Sequence, residues 1–144
     1  MRILPNFVRF SARKVPLAVN GGQASTIDPT TWATYDEAKA STRGVGVGFV
    51  LNGDGIGVID LDHCIEGGVI ATWAQDVLDA NPGTFTEVSI SGTGLHVWGL
   101  LPASGGRVIR DGRSIEIYSQ GRYIALGAPL KGTVATLKPL QVSL

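Results

Sequence analysis

The sequence predicts an α+β fold, with helices covering one face of an antiparallel sheet. Twenty glycines and seven prolines cut the 144 residues into short apolar runs, and no fixed-period repeat appears. Only two stretches carry helical start signals or helical spacing, near residues 30–40 and 70–80. The order is strand, helix, hairpin, helix and then a run of strands, which segregates the element types instead of alternating them.

Each element has a local reason. "KVPLAV" (14–19) reads as a first short strand, at a sheet edge because Pro16 has no N–H for a ladder. In "IDPTTWATYDEAKA", Asp28 before Pro29, and Thr34 three residues before Glu37, are both helix-start signals. "VGVGFVL" and "IGVIDL" flank Asn52, Gly53, Asp54 and Gly55, and this turn-rich link predicts an antiparallel hairpin. "VIATWAQDVLDA" sets Ile70, Trp73, Val77 and Leu78 at helical spacing, and Asn81-Pro82-Gly83 stops it. "FTEVSI" and "LHVWGLL" around Ser91–Gly94, then "SIEIYS" and "RYIALG" around Gln120-Gly121, predict two further hairpins.

The length suits one domain over residues 1–144, and the patternless stretch 129–144 reads as the start of a linker. Twelve lysines and arginines balance twelve aspartates and glutamates, so no global basic field exists and any nucleic-acid contact is a local patch. Cys64 is the single cysteine, which excludes an internal disulfide and a multi-cysteine zinc site and agrees with a cytoplasmic protein. The first nineteen residues are broken by Pro5, Arg9, Arg13 and Lys14, so they lack the apolar core of a signal peptide or a membrane span.

"VIDLDHC" (58–64) carries the first chemical signal. Side chains alternate along a strand, so Asp60 and Asp62 project together from its end. Two carboxylates about 4 Å apart repel by roughly 4 kcal/mol at an effective dielectric near 20, so a cation or a proton is required between them. Glu116, between Ile115 and Ile117 in "SIEIY", adds a third acid on a strand. Three such carboxylates can hold one or two hard divalent cations, Mg²⁺ or Mn²⁺, which share oxygen ligands with phosphate. "SISGTGLH" (89–96) supplies a complementary part. Gly92 and Gly94 let backbone approach a phosphate closely, while Ser89, Ser91 and His96 add donors at alternate positions. Singly, each motif is commonplace in turns and loops; together they read as a nucleotide cradle beside a metal cradle.

In this order and at these intervals, "GVGFVLNGDGIGVIDLDHC", "EVSISGTGLHVWG" and "SIEIYSQGRYIALG" resemble the primase-polymerase domain of the archaeo-eukaryotic primase superfamily, as found at the amino termini of phage and plasmid replication proteins. The resemblance covers roughly residues 10–127. It implies a sheet related to the RNA-recognition motif joined to a smaller N-terminal α/β unit, with the active site in the cleft between. It also implies that Asp60, Asp62 and Glu116 are metal ligands and, with His96, the catalytic residues, and that Ser91, Gly92 and His96 lie at the nucleotide triphosphate. Arg122, after the Gln120-Gly121 turn, is a further candidate for phosphate.

The activity implied is template-directed nucleotidyl transfer with two metal ions, on single-stranded DNA template and primer, from ribo- or deoxyribonucleoside triphosphates. Helical and helicase domains after the catalytic core are implied for the intact protein, as is location in the cytoplasm of a bacterial or archaeal host. The cysteine-rich zinc element of some relatives is absent here. Two other readings use the same residues: a metal-dependent nuclease or phosphohydrolase, and a degenerate nucleic-acid-binding module without turnover. His63 and Cys64 lack zinc-ligand spacing and read as bystanders; Trp98, alternating with His96, is placed near a base or sugar.

Overall fold

A computed structural model describes all 144 residues. In chain order its elements are β1 (Phe7–Phe10), β2 (Pro16–Leu17), α1 (Tyr35–Ala40), β3 (Gly46–Asn52), β4 (Ile56–Leu61), β5 (Ile65–Glu66) and β6 (Val69–Ile70). Then follow α2 (Thr72–Ala80), β7 (Thr86–Val88), β8 (Leu95–Leu100), β9 (Arg107–Arg110), β10 (Ser114–Tyr118), β11 (Gln120–Ala125) and β12 (Ala128–Pro129). The chain forms two compact units, one of residues 1–52 with 120–126 and one of residues 53–119 with 127–144. The class is broadly α+β, mostly strand with two short α-helices.

The first unit is an antiparallel sheet in the order β11-β3-β1-β2. Phe7 pairs with Phe49 and Phe10 with Gly46. The Phe7 ring meets Phe49 and Tyr35 edge-on, with centroids 5.2 and 5.3 Å away, an arrangement that aromatic quadrupoles favour. Gly46 and Gly48 leave room for rings: a Cβ on Gly46 would lie 2.7 Å from Phe10, and one on Gly48 would lie 2.6 Å from Tyr123. Pro16 sits on the edge strand, as its missing donor requires. Both helix-start signals are realised. Asp28 caps a 3₁₀ turn at Pro29–Thr31, and Thr34 with Glu37 forms a reciprocal capping box on α1.

The second unit is built on a six-stranded antiparallel sheet, β12-β7-β8-β4-β10-β9. Ile59, Leu61, Leu95, Val97, Ile115 and Ile117 share one face and pack with Ala74 and Val77 of α2. Each such side chain, fully buried, contributes about 1.5–3 kcal/mol of transfer free energy. Strict alternation sends Val58, Asp60, His96, Trp98, Glu116 and Tyr118 to the other face. Residues 136–141 run alongside: Phe85 N donates to Thr136 O, Leu100 N to Lys138 O and Gln141 N to Asn81 Oδ1. No helix is long and apolar enough to cross a membrane.

Two predicted hairpins are overturned. β3 and β4 belong to different sheets, and so do β10 and β11. The chain turns as expected after Asn52, but there Gly53, at positive φ, carries it from one sheet into the other. Between β10 and β11 the link is Ser119 alone; Gln120 and Gly121, expected in a turn, lie within β11, where Gly121 at positive φ sits in a bulge. The β7–β8 hairpin forms as expected, closing Thr86 on Val97. Five strands are not anticipated: the two-residue β5, β6 and β12, and the longer β1 and β9. Val69 and Ile70, expected in the second helix, form β6, and α2 begins at Thr72. β1 follows an irregular apolar run with an internal arginine, and β9 is an exposed edge strand with no alternating burial.

Candidate functional site

Asp60 is the centre of a row of ionisable groups laid across four strands. On one side it pairs with Glu116 of β10, and on the other with His96 of β8, which itself pairs with Glu87 of β7. Strands about 4.8 Å apart bring such same-face neighbours within interaction distance. Asp62 follows the end of β4, where its backbone N–H donates to Ser114 O at 3.0 Å. One carboxylate oxygen from each of Asp60, Asp62 and Glu116 lies within 4.8 Å of the other two, and all three residues are partly buried. The third acid predicted from sequence therefore joins the first two in space.

Arg110 of β9 enters the group, its Nη2 donating to Glu116 Oε1 at 2.8 Å. One guanidinium against three carboxylates leaves a formal charge of 2− across the four groups. An all-oxygen donor set with that charge fits a hard divalent cation such as Mg²⁺ or Mn²⁺. Sequence reasoning misses Arg110 because it misses β9; once β9 pairs with β10, an arginine at its end is the natural partner for an acid on that strand.

His96 is buried, and its Nδ1 donates to Glu87 Oε1 at 2.8 Å. Its Nε2 stands 3.6 Å from Asp60 Oδ1. Glu87 also accepts from Trp98 Nε1 at 3.0 Å and is only 2% exposed. A carboxylate so enclosed needs both donors, and together they fix the direction of the imidazole ring. Glu87 carries no motif of its own in the sequence, although a hairpin folded about Ser91-Gly92 sets it opposite His96. Trp98 is fully buried with its indole N–H on Glu87, so it presents no ring face to a base, contrary to the expectation.

The "SGTG" turn is tightly tied. Ser89 Oγ accepts from Gly94 N at 3.0 Å and lies 3.0 Å from Ser91 Oγ, which lies 2.9 Å from Thr93 Oγ1. Gly92 N donates to Ser89 O at 2.9 Å, and Gly92 takes φ +77°, a conformation that glycine adopts without a steric cost. Gly94 is needed for close approach, since a Cβ there would lie 2.7 Å from Leu61 O. The turn thus presents a chain of hydroxyls, with the Gly92, Thr93 and Gly94 amides engaged internally. It adjoins the acids along the chain: Thr93 O accepts from Cys64 N and Ile65 N, just past Asp62. Burial pushes the Cys64 thiol up to about 11, which keeps it protonated. Arg122 is exposed on β11 in the first unit, opposite Leu51 beside a bulge.

No family model matches the sequence. A comparison with curated proteins finds the DNA primase-polymerase of Nitratiruptor phage NrS-1, 35% identical over 142 residues. The chain is a homologue of a phage primase-polymerase. The match takes in 91% of this chain and 20% of the phage protein, which is much the longer of the two. The resemblance read from the motifs is borne out at that level, and the aligned share spans both units of the primase-polymerase homologue described here.

Proposed function

We propose that the chain is a primase-polymerase catalytic segment that adds nucleotides to a primer on a single-stranded DNA template. The observation that carries this reading is the convergence of Asp60, Asp62 and Glu116 in a homologue of a phage primase-polymerase. A divalent cation, when bound by these three residues, supplies charge neutralisation for phosphoryl transfer and lowers the pKa of the attacking 3′-hydroxyl. Two ions, Mg²⁺ or Mn²⁺, suit the reading best.

The protein's own share is positioning. His96, aimed by Glu87, holds a phosphate oxygen of the incoming ribo- or deoxyribonucleoside triphosphate. The Ser89 and Ser91 hydroxyls and the backbone at Gly92 and Gly94 hold the remaining phosphate oxygens, exchanging bonds now made within the turn. Base pairing with the template, and not a side chain, selects the nucleotide. In the intact protein, helical and helicase domains follow this segment, and the whole works in the cytoplasm of a phage or plasmid host.

Primer extension on a single-stranded template, with labelled nucleotides and Mg²⁺ or Mn²⁺, tests the reading. Products are expected with the wild-type chain and not with Asp60→Ala/Asp62→Ala. Shortening of the strands would replace it with a metal-dependent nuclease; binding of nucleotide and DNA without any product would replace it with a binding module.

A further inference from the structure

The acids have two flanks. His96 and the "SGTG" turn lie toward β8 and β7; on the side of β10 and β9 is a recess of about 290 Å³ lined by Asp62, His63, Trp73, Arg110, Arg113 and Ser114. Two of its walls are guanidinium groups. Arg113 is held by Asp111, whose carboxylate accepts from its Nε at 3.0 Å and from its Nη2 at 2.7 Å. This side-on pairing fixes the plane of the guanidinium and leaves its Nη1 edge for a ligand. Trp73, half-buried on α2, contributes an indole, and His63 closes the recess from a left-handed backbone conformation, φ +52°.

In an in-line phosphoryl transfer the attacking and leaving oxygens lie on opposite sides of phosphorus. With the triphosphate on the His96 flank, the attacking hydroxyl arrives from the flank that holds this recess. We propose that the recess binds the last phosphodiester of the primer strand, Arg113 gripping the phosphate and Trp73 lying against the terminal sugar or base. This rests on the polymerase reading. The recess has the chemistry for it: a planar, always-charged fork for a phosphate and an aromatic surface for a nucleoside. At about 290 Å³ it is sized for the end of a strand and not for a duplex.

The test is fluorescence anisotropy of the 144-residue chain with two labelled DNAs, a primed template and the same template unprimed, together with the affinity for a nucleoside triphosphate. Arg113→Gln is expected to weaken binding of primed DNA about tenfold. The log–log salt dependence for primed DNA should flatten by about 0.7–0.9 for each phosphate that the variant no longer neutralises. Unprimed template and nucleotide should bind as before. Equal weakening on both DNAs, weaker nucleotide binding, or no change at all each overturns the proposal. Should Arg113→Gln fail to fold, Arg113→Lys carries the test: severalfold weaker binding of primed DNA with the salt slope kept supports it, and unchanged affinity overturns it. Anisotropy needs no turnover, so the two readings fail separately. Arg113-dependent binding without extension sinks the polymerase reading; extension with Arg113-independent binding sinks the recess.

Discussion

Glu87 and His96 lie directly opposite one another on β7 and β8, joined by a 2.8 Å hydrogen bond from Nδ1 to a carboxylate that water scarcely reaches. With Nδ1 committed, the imidazole can turn only Nε2 toward Asp60. Glu87→Ala leaves two buried donors, His96 Nδ1 and Trp98 Nε1, without their acceptor and should cost on the order of 3 kcal/mol in urea unfolding. Glu87→Gln retains an acceptor oxygen and should cost less, about 1 kcal/mol, while weakening nucleotide binding measurably. Equal losses for the two variants would show that the negative charge, and not the shape or a single acceptor oxygen, holds the two donors.

The charge balance around Glu116 makes a second expectation. Arg110 offsets one of three acids, so Arg110→Gln should tighten Mn²⁺ binding about threefold to tenfold, whereas Asp60→Asn should weaken it at least tenfold. Mn²⁺ titration followed by electron paramagnetic resonance reads both. Weaker binding in Arg110→Gln would mean that the arginine orients Glu116 more than it competes with the cation.

Hydrogen bonds from Arg113 hold the Asp111 carboxyl down at about 2. Because the folded value lies below the unfolded one, near 3.9, this pair contributes stability above about pH 4, and the contribution is lost as pH falls through 2. Carbon-detected NMR of the Asp111 carboxyl should therefore show a midpoint near 2, returning toward 3.9 in Arg113→Gln. A wild-type midpoint near 3.9 would mean that Arg113 swings free in solution.

Cys64 is 2% exposed and its thiol is pushed up to about 11 by burial. Iodoacetamide at about pH 8 should leave it unmodified in the folded chain and alkylate it fully in denaturant, as read by mass spectrometry. Rapid native modification would place the loop after Asp62 in an open state.

Local chemistry is legible in the sequence where a single residue decides the geometry. Thr34 with Glu37 starts α1, Pro16 marks an edge, and alternation from Val58 to Asp62 puts two acids on one side. Partnership between strands is not legible at Gly53 or at Ser119, because a turn or bend residue fixes that the chain changes direction and not which strand it meets next. The same gap hides Arg110 and Glu87. Each matters through a neighbour on another strand, Glu116 for one and His96 for the other. The serines and glycines of residues 89–94 suggest an open cradle when read in sequence, whereas short side chains in a tight turn first satisfy one another.

The chain leaves its first unit after Asn52 and returns to it at Gln120, bringing β11 to pair with β3. Between those two points lies nearly the whole of the six-stranded sheet. On the ribosome, the part of the chain made first is therefore completed late. Until β11 emerges, β3 exposes a row of unpaired backbone groups to other nascent chains, the edge on which strands aggregate.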